Sequence, residues 1–115
     1  MLSKEDMIRL RHMLESAETA VKFIENKDRS ALDNDEMLRF ALARAIEIIG
    51  EAATNVSPEG KATCKDLPWT EIVGMRNRIV HAYFDVNLDI LWATITKDLP
   101  TLILRLKKIV KTHIV

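Results

Sequence analysis

One long amphipathic stripe at the C-terminal end limits the folds open to this sequence. From Leu88, apolar side chains recur at Leu91, Trp92, Ile95, Leu99, Leu102, Ile103, Leu106, Ile109 and Val110. Steps of three and four residues mark one face of a helix. A face this long must be buried against apolar partners of similar length. Pro100 sits inside the stripe. A proline removes one backbone donor and crowds the carbonyl four residues back. The stripe keeps its phase across Pro100, which predicts a kinked helix rather than a broken one. Lys107, Lys108, Lys111 and His113 suit the C-terminal end of that helix, where the macrodipole is negative.

Partners for this face are legible upstream. Leu10, Met13, Leu14, Ala17, Val21 and Ile24 define a first helix over about residues 3–27, with Ser3 as its cap and Asp6 three residues on. Asp28 to Asn34 is a polar break, and Asp33 or Asn34 is expected to cap a second helix running to about Val56. Its stripe is Leu38, Ala41, Leu42, Ala45, Ile49, Ala52, Ala53 and Val56, and its alanines suit close approach of a neighbour. Ile46 and Ile48 widen the apolar arc, so partners on more than one side are expected. Ser57-Pro58-Glu59 starts a short helix reaching about Cys64, with proline at the first helical position. Asp66-Leu67-Pro68 starts another, expected to end near Tyr83 or Phe84, and Asn87 caps the last. No segment alternates as a strand would. The fold class is therefore all-α: four main helices and one short helix in an antiparallel bundle.

The chain has 115 residues, which makes residues 1–115 a single domain. Lys plus Arg and Asp plus Glu each number 17, for a formal charge of zero, so an overall basic footprint for nucleic acid is excluded and any such contact must be local. Cys64 is the single cysteine, which fits a reducing compartment and a packing role. The N-terminus is not a signal peptide, and no apolar run approaches the roughly 20 residues of a membrane span. A soluble, cytoplasmic protein without membrane contact is expected. Three scattered histidines and one cysteine offer no metal-ligand spacing, and no glycine-rich phosphate loop is present, so no metal or cofactor is expected.

The segment Arg76-Asn77-Arg78-Ile79-Val80-His81-Ala82-Tyr83 does not fit plain packing. On a helical wheel, Trp69, Ile72, Val73, Ile79 and Val80 form an apolar arc, with Met75 at its edge and Arg76 pointing into its middle. Buried, Arg76 would need a carboxylate, a phosphate or a polar interface. If the helix continues, Tyr83 stacks above Arg76, while His81 lies roughly 140° away, near Asn77. Arg76 and His81 could then meet only at a frayed helix end or across a two-fold axis, and the second case predicts a dimer with a composite site. Plain roles stay open at this level. Arg76 could pair with Glu47, Glu51 or Glu71, His81 could cap the helix, and Tyr83 could be a core aromatic. Glu47 and Glu51, one turn apart with Arg44 at hand, fit a solvated face.

Arg76-x4-His81-x-Tyr83, with Asn77 after the arginine, resembles the signature of the HepT-like branch of the HEPN superfamily. Ala43-Arg44-Ala45-Ile46-Glu47-Ile48-Ile49-Gly50-Glu51-Ala52 is similar to that family's second-helix segment, and Leu67-Pro68-Trp69 and Asp98-Leu99-Pro100 also fit. The resemblance implies a helical homodimer whose two motifs line one cleft. It implies a metal-independent endoribonuclease toxin, with Arg76 and His81 catalytic, Asn77 binding or orienting, and Glu47 and Glu51 in support. It also implies a partner, a minimal nucleotidyltransferase antitoxin, that can add AMP to Tyr83. RNA carries its own nucleophile, the 2′-OH, and the expected products are a 2′,3′-cyclic phosphate and a 5′-hydroxyl. An accessory, nucleotide-binding subunit of a nucleotidyltransferase is the alternative role, and the neutral charge leans toward it.

Overall fold

The computed structural model describes residues 2–82 and 85–113; for residues 80–82 and 85–86 only the backbone is described. Helix α1 spans Lys4–Phe23, α2 Ala31–Asn34, α3 Glu36–Thr54, α4 Pro58–Thr63 and α5 Trp69–Ile79. Strands β1, Val80–Ala82, and β2, Asp85–Val86, follow, then α6, Leu88–Ala93, and α7, Leu99–Thr112. Helix α1 packs on α3 and α7, and α3 also packs on α5. The wide apolar arc of α3 thus has a partner on each side. The core is one cluster in which Leu10, Met13, Leu42, Ile46, Ile49, Ile72, Leu91, Ile95, Leu99 and Leu106 are essentially inaccessible.

The helix starts follow local chemistry. Ser3 accepts from Asp6 N, Ser57 from Gly60 N and Asn87 from Ile90 N, each capping its helix. The second long helix is capped by Asp35, which accepts from Leu38 N, and not by Asp33 or Asn34, because those residues belong to the extra turn α2. The first helix ends at Phe23, four residues short of the expected Lys27. Asn26 there takes a φ of 61°, a left-handed conformation that asparagine tolerates and a helix does not.

Two further expectations are corrected. The fifth helix stops at Ile79, not near Tyr83 or Phe84. The chain then pairs in a short antiparallel ladder, Val80 with Val86 and Ala82 with Asp85, and Asn87 N donates to Ile79 O at 2.8 Å. β-branched Ile79 and Val80 favour extended backbone once a partner strand is available. The helical-wheel placement of Tyr83 over Arg76 therefore does not apply, and Tyr83 itself lies outside the described residues.

The helical path continues through Pro100 by way of a π turn. Residues Thr94–Asp98 form a π turn, with Leu99 N donating to Thr94 O, and Pro100 stands in the first turn of α7. Without an N–H at Pro100, the Thr96 carbonyl has no α-helical donor. The wider turn also corrects the phase of the core residues. Leu91, Ile95 and Leu99, all fully buried, are four residues apart, a spacing that drifts off one face of an ideal α-helix.

A polar joint ties α1 to α4. Asp6 is 4% exposed. Its carboxylate accepts from Ser57 N at 2.9 Å and from Ser57 Oγ at 2.5 Å. Burial disfavours the Asp6 charge, but the hydrogen bonds from Ser57 and at Ser3, with Arg9 nearby, more than offset it and hold the carboxyl below its ordinary value. Gly60 is required here. A Cβ would lie 2.9 Å from Asp6 Cγ and from Val56 Cγ1, and closer still to Asp6 Oδ2.

Asp6 is too tightly bonded to yield, so Gly60→Ala should lower the melting temperature although alanine is the better helix former. The overpacking costs about 1–3 kcal/mol against about 1 kcal/mol of propensity gained. Calorimetry should show a smaller loss for Gly60→Ala in an Asp6→Ala background, because the two residues are in contact. The sign with pH follows from the depressed carboxyl. Its stabilisation is complete above the ordinary value of 3.8 and is lost as pH falls through the lower folded value. Asp6→Asn should therefore be less stable than the parent at neutral pH, and the gap should close in acid.

Candidate active site

Helix α5 turns Ile72, Met75 and Ile79 into the core. Ile72 and Ile79 were expected there, but the inward stripe is rotated toward Met75 and away from Val73 of the expected arc. Val73 is 38% exposed, and Arg76 is 58% exposed. The expectation that Arg76 is buried is thus corrected: within one chain it is a surface side chain beside α3. Gly50 of α3 is where the two helices come close, since a Cβ at Gly50 would sit 3.7 Å from Val73 O and 3.9 Å from Ile72 O.

That approach brings Glu47 to Arg76. Glu47 Oε1 lies 3.8 Å from Arg76 Nε, and Glu47 Oε2 lies 3.5 Å from Arg44 Nη1. Arg44 Nη1 also lies 3.8 Å from Glu51 Oε1. One carboxylate thus stands between two guanidinium groups from two helices. The contacts are long and exposed, so they orient Arg76 without contributing much stability, about 0–1 kcal/mol. Asn77 follows Arg76 on α5 and is exposed. His81 lies in β1, directly after α5, and only its backbone is described there. Of the six residues singled out from the sequence, Arg76, Glu47 and, through Arg44, Glu51 come together.

Met37, Phe40, Arg44, Glu47 and Glu51 share one face of α3, at steps of three and four residues. Met37 is 80% exposed and Phe40 70%. An apolar surface therefore runs directly into the charged cluster.

Elsewhere, burial pushes the Cys64 thiol up, with Asp6 and Asp66 adding to it, so this cysteine is a packing residue. His113 Nδ1 meets Ile109 O at 3.1 Å at the end of α7. Among the described residues no three His, Cys, Asp or Glu side chains gather closely enough to hold a metal ion, and no helix is long and apolar enough to cross a membrane. One group escaped the sequence reading. Arg78, Lys97 and Arg105, on three different elements, line a single cavity. No local spacing relates residues so far apart in the chain.

A profile of the HepT-like family, described as ribonuclease HepT-like, matches residues 13–109. The chain belongs to the HepT-like ribonuclease family. The matched span includes α3 and α5 and therefore the Glu47–Arg76 pair. The chain is 36% identical over 100 residues to "Putative RNase MJ1380" of Methanocaldococcus jannaschii, covering 86% of this chain and 92% of that protein. It is 38% identical over 93 residues to "Probable ribonuclease HepT" of Thermococcus cleftensis, covering 77% and 84%. No solved structure matches the chain.

An exposed, weakly paired Arg76 is dispensable for the fold. Arg76→Ala should shift the thermal midpoint by no more than a few degrees, corresponding to about 1 kcal/mol or less. A larger loss in differential scanning fluorimetry would show that the arginine is structural.

Proposed function

We propose that this protein is a metal-independent endoribonuclease in which Arg76 and His81 act on RNA. The observation that carries the reading is the state of Arg76. It is solvent-facing and oriented by Glu47, and it lies within the span matched by a ribonuclease family. An arginine in that state is free to take two phosphate oxygens by parallel hydrogen bonds and to stabilise charge that develops on them.

In the proposed reaction the 2′-oxygen attacks the adjacent phosphorus, the bond from phosphorus to the 5′-oxygen breaks, and a 2′,3′-cyclic phosphate and a 5′-hydroxyl result. The 2′-OH loses a proton and the 5′-oxygen gains one. A histidine titrates in the range suited to either transfer, and His81 takes that role. Asn77, beside Arg76 on α5, binds the phosphate or orients His81. Glu47 holds the Arg76 guanidinium with one oxygen and Arg44 with the other, and Glu51 engages Arg44 from its second side.

Two copies acting together complete the reading. The exposed Met37 and Phe40 lie on the α3 face that carries Arg44 and Glu47, and burying them between two copies would bring two Arg76 sites to one interface. Purified protein of two-chain mass by light scattering should cleave total RNA in EDTA and leave cyclic-phosphate ends. His81→Ala and Arg76→Ala, folded and dimeric, should not. A folded wild type that leaves RNA intact would move the assignment to an accessory, nucleotide-binding subunit.

The reading extends to control. Tyr83 is the proposed acceptor of AMP from a minimal nucleotidyltransferase partner: its phenolic oxygen attacks the α-phosphorus of ATP, pyrophosphate leaves, and the phenol proton is lost. AMP on Tyr83, near in sequence to Arg76 and His81, would bring a competing phosphate into the site. Intact-mass spectrometry after incubation with that partner and ATP should show one added AMP on the parent and none on Tyr83→Phe. An AMP-modified Tyr83→Phe would refute the assignment.

A further inference from the structure

A cavity of about 330 Å³ lies between α5 and the π turn and helix α7. Three cations from three elements line it: Arg78 of α5, Lys97 of the π turn and Arg105 of α7. Among the other Lys and Arg side chains, Arg29, Arg39, Arg44, Arg76 and Lys107 have a carboxylate within 4.0 Å, while others such as the exposed Lys22 and Lys27 stand alone among the described residues. Arg78, Lys97 and Arg105 form no ion pair among the described residues; Arg105 donates instead to the Asp66 carbonyl at 3.2 Å. With Glu71 and Asp98 also in the lining, the site carries three cations against two carboxylates, a net of one positive charge in a chain of zero formal charge.

Two other features narrow the ligand. The cavity floor includes buried Ile72, Met75 and Leu102, which suits a flat apolar group. Glu71 and Asp98 also line the cavity. They would weaken a site for a bare anion, whereas a ribose 2′-OH can donate to a carboxylate and distinguish RNA from DNA. We propose that this cavity is a ribonucleotide subsite for the RNA strand flanking the scissile phosphate, a claim that rests on the ribonuclease reading. Arg78, Lys97 and Arg105 hold the phosphodiester, Glu71 or Asp98 accepts from the 2′-OH, and the base lies on the apolar floor.

Its place relative to Arg76 follows from α5. Two residues apart, Arg76 and Arg78 leave the helix on nearly opposite sides. Arg76 meets α3 through Glu47, and Arg78 faces α7. The two guanidinium positions are separated by about one helix diameter, roughly 10–12 Å, a span that a few nucleotides of single strand cover. The subsite therefore extends the substrate footprint away from the α3 face.

The test is fluorescence anisotropy with a labelled single-stranded oligoribonucleotide in a His81→Ala background, as a function of salt. Arg78→Gln/Lys97→Gln should weaken binding about tenfold or more, and should reduce the log–log salt slope by about 1.4, or about 0.7 for each phosphate contact on a single strand. Lys22→Gln/Lys27→Gln removes the same charge at exposed positions of α1 and the turn after it, and should change neither. Binding within twofold of the parent, or an equal loss in the Lys22/Lys27 control, would overturn the proposal. The oligodeoxynucleotide of the same sequence should show a smaller loss, and an equal loss would overturn the ribose contact. The EDTA cleavage assay separates the two claims. Cleavage with unaltered binding in Arg78→Gln/Lys97→Gln sinks the subsite alone. Absent cleavage with the binding loss intact sinks the ribonuclease reading and leaves an RNA-binding cleft.

Discussion

Close contact between α3 and α5 at Gly50 decides where the chemistry of this protein can sit. A Cβ at Gly50 would sit 3.7 Å from Val73 O and 3.9 Å from Ile72 O, so α3 approaches the α5 backbone to van der Waals distance there. This approach at a glycine lets Glu47, one turn before Gly50, reach Arg76, one turn after Val73. Burial of Ile72, Met75 and Ile79 on one edge of α5 fixes its rotation. Arg76 is then held at the α3 side and Arg78 at the α7 side. One packing constraint therefore sets both the candidate catalytic arginine and the second cationic cleft.

Much of the fold was legible because its signals are local. Ser3, Ser57 and Asn87 each act within three residues of their own position, and each caps the helix expected of it. Pro58 at a helix start is legible for the same reason. What was not legible depends on distant partners. Asp6 reads as part of a cap, yet its carboxylate serves Ser57, 51 residues away. The end of α5 at Ile79 depends on pairing with Val86 and on the bond from Asn87, which no helical periodicity reveals. Ile72 and Ile79 of the expected arc of α5 are buried, but the arc is centred nearer Met75 than expected, because Val73 counted as core from its chemistry alone and is in fact exposed. The candidate site residues stood out on the helical wheel as a segment that plain packing does not explain, and Glu47 was among the partners open to Arg76, but their candidate roles came only from the family motif.

The π turn at Thr94–Asp98 links fold to surface in a similar way. It keeps Leu91, Ile95 and Leu99 inward despite their four-residue spacing. Lys97 lies within that turn, one helical turn or more before Thr101 and Arg105 of α7. Because a π turn adds about one residue to the helix, residues on its two sides differ in rotation by roughly 100° from an unbroken α-helix. Lys97 shares a cavity with Arg105 under that altered phase. Pro100, which denies Thr96 its helical donor, favours the turn and so helps set the shape of the cleft.

The weak hold on Arg76 is itself consistent with a role in binding phosphate. A buried, fully bonded arginine would be costly to desolvate again and slow to change partners. At 58% exposure with a Glu47 contact of 3.8 Å, the guanidinium keeps most of its hydration and forfeits about 1 kcal/mol or less on leaving its carboxylate. Bidentate, charge-assisted bonds to a phosphodiester are stronger than that, so in the proposed reaction a phosphate would win the competition while Glu47 restricts where the arginine waits. Arg44 limits the cost further. If Arg76 turned to a substrate as proposed, Glu47 would keep a cation at 3.5 Å and would not be left unpaired beside the incoming anion.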